Sequence, residues 1–405
     1  MISIRNIICC LALIVLTNCQ QLPYSESELQ QIYLEDIDFK TSLPLSSFAE
    51  SVELIGLETT NENLFSELRK LFYRNGRFYL LVSNSYSNAR ILIYSEDGKF
   101  LHEINKIGGG PGEYIELNDF ELLENGDIKA FGCLKNIVYD SIGNFRHEVR
   151  MKTLIRYATT LPEGYSVVRT STRDLMALQI LTPDDHYHTS LLPLSTLERQ
   201  KLECFLNLST FSTCKDHTYF AYRHCDTIYS INKKNVHPTY LLDFGKYTPD
   251  FSDVKARDEL LAIEKKISNK NYFDLNSFLF YSPEILVLGI APGMNQGRIP
   301  AICFYSLKTN KKIFGSKIID DIYLKGATLR LNYRNLPHNV IGDYLYVTVS
   351  ASYLIDSYQR YKALMNPQQW KAFKQLYPRL VAICENLSEE DNPQLLRIKL
   401  KDITE

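Results

Sequence analysis

Several short groups of residues in this sequence have types and spacings that invite a chemical reading. Gly108-Gly109-Gly110-Pro111-Gly112-Glu113-Tyr114 is the first, because successive backbone N–H groups in a glycine-rich turn form a nest for an anion. A phosphate loop would place Lys-Ser or Lys-Thr after its last glycine, whereas Glu113 follows here and its carboxylate repels phosphate. The stretch is therefore read as a turn that needs positive φ angles, with Gly109, Gly110, Gly112, Glu113 and Tyr114 kept as loop candidates for ligand contact. His102-Glu103 and His147-Glu148 look like half of a zinc-protease motif, but Lys106 and Met151 stand where the second histidine should be. On a strand, such adjacent residues point to opposite faces. Cys214, His217, His224 and Cys225 form the one soft-ligand cluster. A strand over 218–222 lies between His217 and His224, and seven residues at about 3.3 Å each would set these two about 23 Å apart, so no metal is assigned. Asp184-Asp185-His186 and Asp320-Asp321 suit acid–base work or a hard cation, and are read as solvated turns. The sequence contains no nucleophile elbow and no calcium-loop spacing. No catalytic residue and no cofactor is assigned.

The first residues speak to compartment. Arg5 is followed by an apolar run from Ile7 to Leu16, too short to span a bilayer but suited to the core of a signal peptide. Leu16-Thr17-Asn18-Cys19 resembles the lipobox of bacterial lipoproteins, with Asn18 in place of the usual Gly, Ala or Ser. That resemblance implies a signal peptide over 1–18, acylation of Cys19, a tether over 19–45 and the lipid bilayer as a partner. Gln20-Gln21-Leu22-Pro23 lacks an acidic run resembling a surface-export signal, which favours a periplasm-facing outer-membrane location. Cys9 and Cys10 fall within the expected signal peptide, and the other six cysteines, Cys133, Cys204, Cys214, Cys225, Cys303 and Cys384, lack paired spacing and read mostly as small buried hydrophobes. A net charge of −2 without clustered cations excludes nucleic acid as a partner.

The elements that would position these residues announce themselves by repetition. Tyr94-Ser95-Glu96-Asp97-Gly98-Lys99-Phe100-Leu101-His102-Glu103-Ile104 matches Tyr139-Asp140-Ser141-Ile142-Gly143-Asn144-Phe145-Arg146-His147-Glu148-Val149 at an offset of 45 residues. A strand-built period of this size is the signature of propeller blades, whose sheets hide their apolar faces only against one another. Later strand-like runs extend the pattern, and six blades over 46–405 fit the length, giving an all-β fold. Ser51-Val52-Glu53-Leu54-Ile55-Gly56-Leu57 is the expected closing strand, because an open ring would leave an unpaired edge. Two helical insertions interrupt the strands. One covers about 252–268, capped by Ser252; the other covers about 357–378, where Asn366-Pro367 signals a cap and first residue ahead of Trp370, Phe373 and Tyr377.

Lys106-Ile107-Gly108-Gly109-Gly110-Pro111-Gly112-Glu113-Tyr114, followed by Asp119-Phe120, resembles the six-bladed, NHL-like β-propeller lipoproteins that gut-type Gram-negative bacteria encode in many copies. Leu54-Ile55-Gly56-Leu57-Glu58-Thr59, Asp226-Thr227-Ile228-Tyr229, Asp243-Phe244-Gly245-Lys246-Tyr247 and Asp391-Asn392-Pro393 agree with that family. The resemblance implies architecture and export, not chemistry, since one fold hosts many functions. The expectation is a non-catalytic binding or protein-interaction module of the cell envelope, its ligand a glycan, a peptide or another envelope protein. The 27 tyrosines suit such ligands, although tyrosine is also a favoured strand residue. The alternative is a lyase or hydrolase acting on sugars or small esters from the central channel.

Overall fold

The structure is a computed structural model that describes residues 29–403, except 85–88, 171–175, 197, 199–210, 223, 251, 254, 256–261, 263–264, 266–270, 294–298 and 331–338. Its strands form seven sheets in a β-propeller, rather than the expected six blades. Five sheets are built around up-and-down meanders of four consecutive strands, within 67–104, 117–150, 155–193, 211–243 and 273–315. The 45-residue repeat is the outer half of the first two. Tyr94 and Tyr139 are fully buried, and Gly98 and Gly143 take the same φ of 86° in the same turn. The same backbone hydrogen bond closes both turns, Ser95 N–H to Lys99 C=O and Asp140 N–H to Asn144 C=O, each at 2.9 Å.

Ring closure occurs where the sequence places it. Ala49–Ile55 pairs antiparallel with Gln394–Leu400, in register Ile55 with Leu395 and Val52 with Ile398. Side-chain amides then lock the joint. Buried Asn392 accepts the Phe65 N–H at 2.8 Å and donates to the Asn63 carbonyl at 3.1 Å, while buried Gln394 accepts the Leu57 N–H at 2.8 Å.

The seventh sheet accounts for the corrected count. Lys317–Asp320 and Ala327–Arg330 form a hairpin, and Ser42–Pro44 adds to it in parallel. Each of these strands is only three or four residues long, too short for a periodic signal. The N-terminal segment read as a tether is thus partly sheet. Besides Ser42–Pro44, Gln30–Tyr33 pairs in parallel with Val236–Asp243.

The insertion expected at about 252–268 lies largely outside the described residues. The second insertion is three short helices rather than one: α1 (Ala351–Ala363), α2 (Pro367–Leu376) and α3 (Pro378–Asn386). Two prolines divide it, because each lacks an N–H and starts a new helix instead of continuing the old one. Asn366 and Gln369 form a reciprocal capping box at α2. Trp370 stacks on Phe373, which packs on Tyr377, as the spacing predicts. Among the described residues no helix is long and apolar enough to cross a membrane.

Candidate functional site

The glycine-rich segment connects the outer strand of the 67–104 sheet to the inner strand of the 117–150 sheet. Its ends are zipped by the Tyr114 N–H to the Lys106 carbonyl at 2.8 Å and the Gly108 N–H to the Tyr114 carbonyl at 3.0 Å. The protein's own carboxylates fill its nest. Glu113 Oε2 accepts the Gly110 N–H and Glu148 Oε2 accepts the Gly112 N–H, both at 2.8 Å. Lys135 Nζ donates to the Gly110 carbonyl at 2.9 Å and to Glu148 at 3.1 Å, and the Tyr139 hydroxyl donates to the Gly112 carbonyl at 2.7 Å. The Gly112 N–H, followed by Lys135, holds the Glu148 carboxyl below the usual carboxylate range. Gly112 needs its φ of +71°, and a Cβ there would lie 2.7 Å from the Phe145 ring. Tyr114 and Gly112 are buried, Glu113 is half-buried and Gly109 is exposed at the crest. Of the five loop candidates, only Gly109 faces solvent fully.

Alongside exposed Asn105, Lys106, Gly109 and Pro111, the loop and the 133–134 turn beside it present large apolar side chains to solvent. Ile107 is 54% exposed, Ile115 71% and Leu134 50%. They are neighbours, since Ile107 bridges to Tyr114 and the Cys133 N–H bonds the Glu116 carbonyl at 2.9 Å. Sequence reading concentrated on the glycines and missed this ridge. The alternating Ile-x-Gly and Tyr-Ile-Glu flanks were the available signal.

The two His-Glu pairs are structural. Arg90 holds Glu103 at 3.1 Å and Lys135 holds Glu148 at 3.1 Å, the same ion pair repeated one period later. The cation opening the third strand of each sheet was the unread half of the repeat.

At the centre of the ring the inner strands carry a second polar group that sequence reading missed. Lys70 Nζ lies 3.0 Å from Asp119 Oδ1 and 2.6 Å from Glu121 Oε1, and donates to the Ala158 carbonyl at 2.9 Å. Asp119 also accepts the Ala158 N–H at 2.8 Å, and Thr160 donates to Glu121 at 3.3 Å. Three sheets are thus tied across their inner strands. Burial alone would lower the Lys70 ammonium, but its two carboxylates outweigh this and raise it. Burial raises the Glu121 carboxyl more than Lys70 lowers it.

The remaining candidates resolve into packing. Asp185, read as solvated, is buried and lies 2.7 Å from the buried Lys129 ammonium, while Asp184 remains exposed. The Asp320 carboxylate caps its own turn, accepting the Ile322, Tyr323 and Leu324 N–H groups, and Asp321 accepts the Ser46 N–H at 2.9 Å. Cys214 and His217 face each other across a hairpin turn, whereas His224, beyond the far end of that strand, pairs with Asp274 at 3.3 Å in the interior. Among the described residues no three potential ligands converge on a metal position. Cys303 and Cys384 are buried thiols, and Cys133, Cys214 and Cys225 are partly exposed thiols. Cys19 and Cys204 lie outside the described residues. A separate open cleft of about 490 Å³ is lined by Tyr33, Glu35, Asp36, Asp243, Gly245, Lys246 and Lys312. Four of its charges are paired, with Lys312 2.7 Å from Asp36 and Lys246 3.8 Å from Glu35, and the Asp243 carboxylate accepts the Gly245 N–H at 2.8 Å.

Comparison with known proteins agrees with this architecture. An exported-protein structure from Bacteroides fragilis superposes with a TM-score of 0.64 at 14% identity, over 92% of this chain and all of that one. A virginiamycin B lyase from Staphylococcus aureus gives a TM-score of 0.41 at 10% identity, over 73% of this chain and 95% of that one. No curated protein matches the sequence. Residues 29–399 match the family described as Domain of unknown function (DUF4934), and the chain belongs to that family.

Proposed function

We propose that this chain is an exported, lipid-anchored propeller of the cell envelope that binds a partner without catalysis, through the ridge of Ile107, Ile115 and Leu134. One observation carries the reading. Three large apolar side chains stand exposed, Ile107 and Ile115 on a loop clasped from within by Glu113 and Glu148, and Leu134 on the turn beside it. A surface held rigid before contact loses little entropy on binding, and exposed apolar groups set on such a surface favour recognition. Gly109 at the crest lets a partner backbone approach closely. A peptide or envelope protein suits this ridge better than a glycan, because its exposed surface is mainly aliphatic. The export part of the reading draws on the lipobox-like Leu16-Thr17-Asn18-Cys19 and on the exported Bacteroides fragilis protein of the same fold.

A thermal-shift screen of the purified chain against peptide, glycan and divalent-ion libraries tests it. A ligand that binds only the folded state raises Tm. The expected hit is a peptide whose Tm rise disappears in Ile107→Ser and Ile115→Ser, with the ligand-free Tm unchanged. A hit whose effect survives both substitutions contradicts the ridge.

The axial group supports a second reading, an envelope lyase or hydrolase. Glu121 is raised toward holding a proton and sits 2.6 Å from a lysine at the ring's centre. Lys70→Met separates the two readings. It would abolish turnover of a sugar or ester substrate in an enzyme, and leave ridge binding intact in a binding module.

A further inference from the structure

The turns of a meander divide between the two faces of the ring, and on one face their charge is uneven. In the 211–243 sheet, Cys214 pairs with His217, Thr218 with Ile231 and Ile231 with Val236, so the turns carrying Lys215, Lys233 and Lys234 share one end. In the 273–315 sheet the turn carrying Lys308 and Lys311 lies at the equivalent end, tied to its neighbour by the Leu307 N–H to the Glu284 carbonyl at 2.8 Å. These five lysines face Asp216, Glu284 and Glu163, the last paired with Lys233. The corresponding turns of the 67–104 and 117–150 sheets carry the opposite sign, with Glu96, Asp97, Glu124, Asp127 and Asp140 against Arg74, Arg77 and Lys99.

The N-terminal segment enters the described structure at the basic end. Leu29 is 40% exposed, and the next residue, Gln30, donates to the Leu307 carbonyl at 2.8 Å within the lysine-bearing turn. Ten residue steps lead from Cys19 to Leu29, a reach of at most about 35 Å at about 3.5 Å per step. We infer that this lysine-bearing rim, over 214–217, 232–235 and 307–311, docks on anionic phospholipid headgroups. The inference rests on the reading of Cys19 as the anchor. Each lysine near an anionic leaflet adds attraction, while the acidic turns opposite are pushed away. The propeller is then held with its basic rim against the bilayer. The ridge of Ile107, Ile115 and Leu134 lies on connections of the other face and stays open to partners.

The test uses the full chain, expressed from its first residue, purified in detergent and mixed with vesicles of phosphatidylethanolamine alone or with added phosphatidylglycerol. Amine labelling is read lysine by lysine. The expected result is several-fold protection of Lys215, Lys234 and Lys308 on the anionic vesicles, relieved by about 1 M salt, where screening shortens to about 3 Å. Lys106 and Lys371, on other surfaces, should label equally on both vesicle types. Equal labelling of the three rim lysines on both, or protection confined to Lys106 and Lys371, overturns the inference. Flotation with the neutral vesicles reports the anchor separately. A chain that fails to float there refutes acylation at Cys19, and labelling on the anionic vesicles still decides the rim.

Discussion

Glu148 Oε2 lies 2.8 Å from the Gly112 nitrogen and accepts its N–H, so a side chain from the outer strand of one sheet clasps the connection arriving from its neighbour. The same oxygen lies 3.1 Å from Lys135 Nζ, which also holds the Gly110 carbonyl. The clasp therefore depends on one ionised carboxylate, and its behaviour with pH follows.

The folded-state pKa of Glu148 is depressed, chiefly by the Gly112 N–H. Its contribution is accordingly complete above the unfolded-state value and is lost as pH falls through the folded-state value. Amide exchange at Gly112, corrected for the intrinsic rate, should accelerate below the usual carboxylate range. In Glu148→Gln, which removes the charge at every pH, that acceleration should be absent and the neutral-pH protection lower.

Gly112→Ala places a Cβ 2.7 Å from the Phe145 ring at a φ of +71°. The backbone cost alone is about 1–3 kcal/mol. Chemical denaturation should show a loss at least this large, with ligand binding to the ridge weakened as well.

Lys129 and Asp185 form a buried pair at 2.7 Å, with Asn136 also donating to Asp185 at 3.0 Å. Removing one partner strands the other charge, so Lys129→Met should cost about 3–5 kcal/mol. Lys129→Met combined with Asp185→Asn should recover part of that loss in the same denaturation measurement, because no buried charge is left uncompensated.

Asn392 bonds the Phe65 N–H and the Asn63 carbonyl across the ring closure. Asn392→Ala leaves both groups buried without this partner, at about 1–3 kcal/mol each. A melting temperature that drops with a broadened transition would report loosening of the seam between the first and last strands. An unchanged Tm would contradict its role there.

Much of the ring was legible because its signals are local and repeated. Tyr94 and Tyr139, Gly98 and Gly143, and the hairpins between them are fixed by a buried ring and a positive φ one period apart. The closing strand was legible because a ring must have no free edge. The seventh sheet was not, since it joins Ser42–Pro44 to Lys317–Asp320 across more than 270 residues and three pairs of short register. The prolines at 367 and 378 marked helix starts, but only the first was used, so the expected insertion at about 357–378 merged α1 with α2 and stopped where α3 begins. At the candidate site the glycines were visible and their partners were not. Glu148 reaches Gly112 across 36 residues, and Lys70 reaches Glu121 across 51, distances at which no sequence pattern links the groups. Asp185 misled because an acidic doublet in a turn is ordinarily solvated, whereas a φ of +64° turns this residue inward toward Lys129.

The most direct test of the recognition ridge is site-specific photo-cross-linking in intact cells, with the probe placed in turn at position 107, 115 or 364. Leu364 is 78% exposed but lies at the end of α1, away from the ridge, and serves as the control. The account predicts one discrete adduct shared by positions 107 and 115 and absent from 364. Equal adduct patterns at all three positions, or none at 107 and 115, would contradict it.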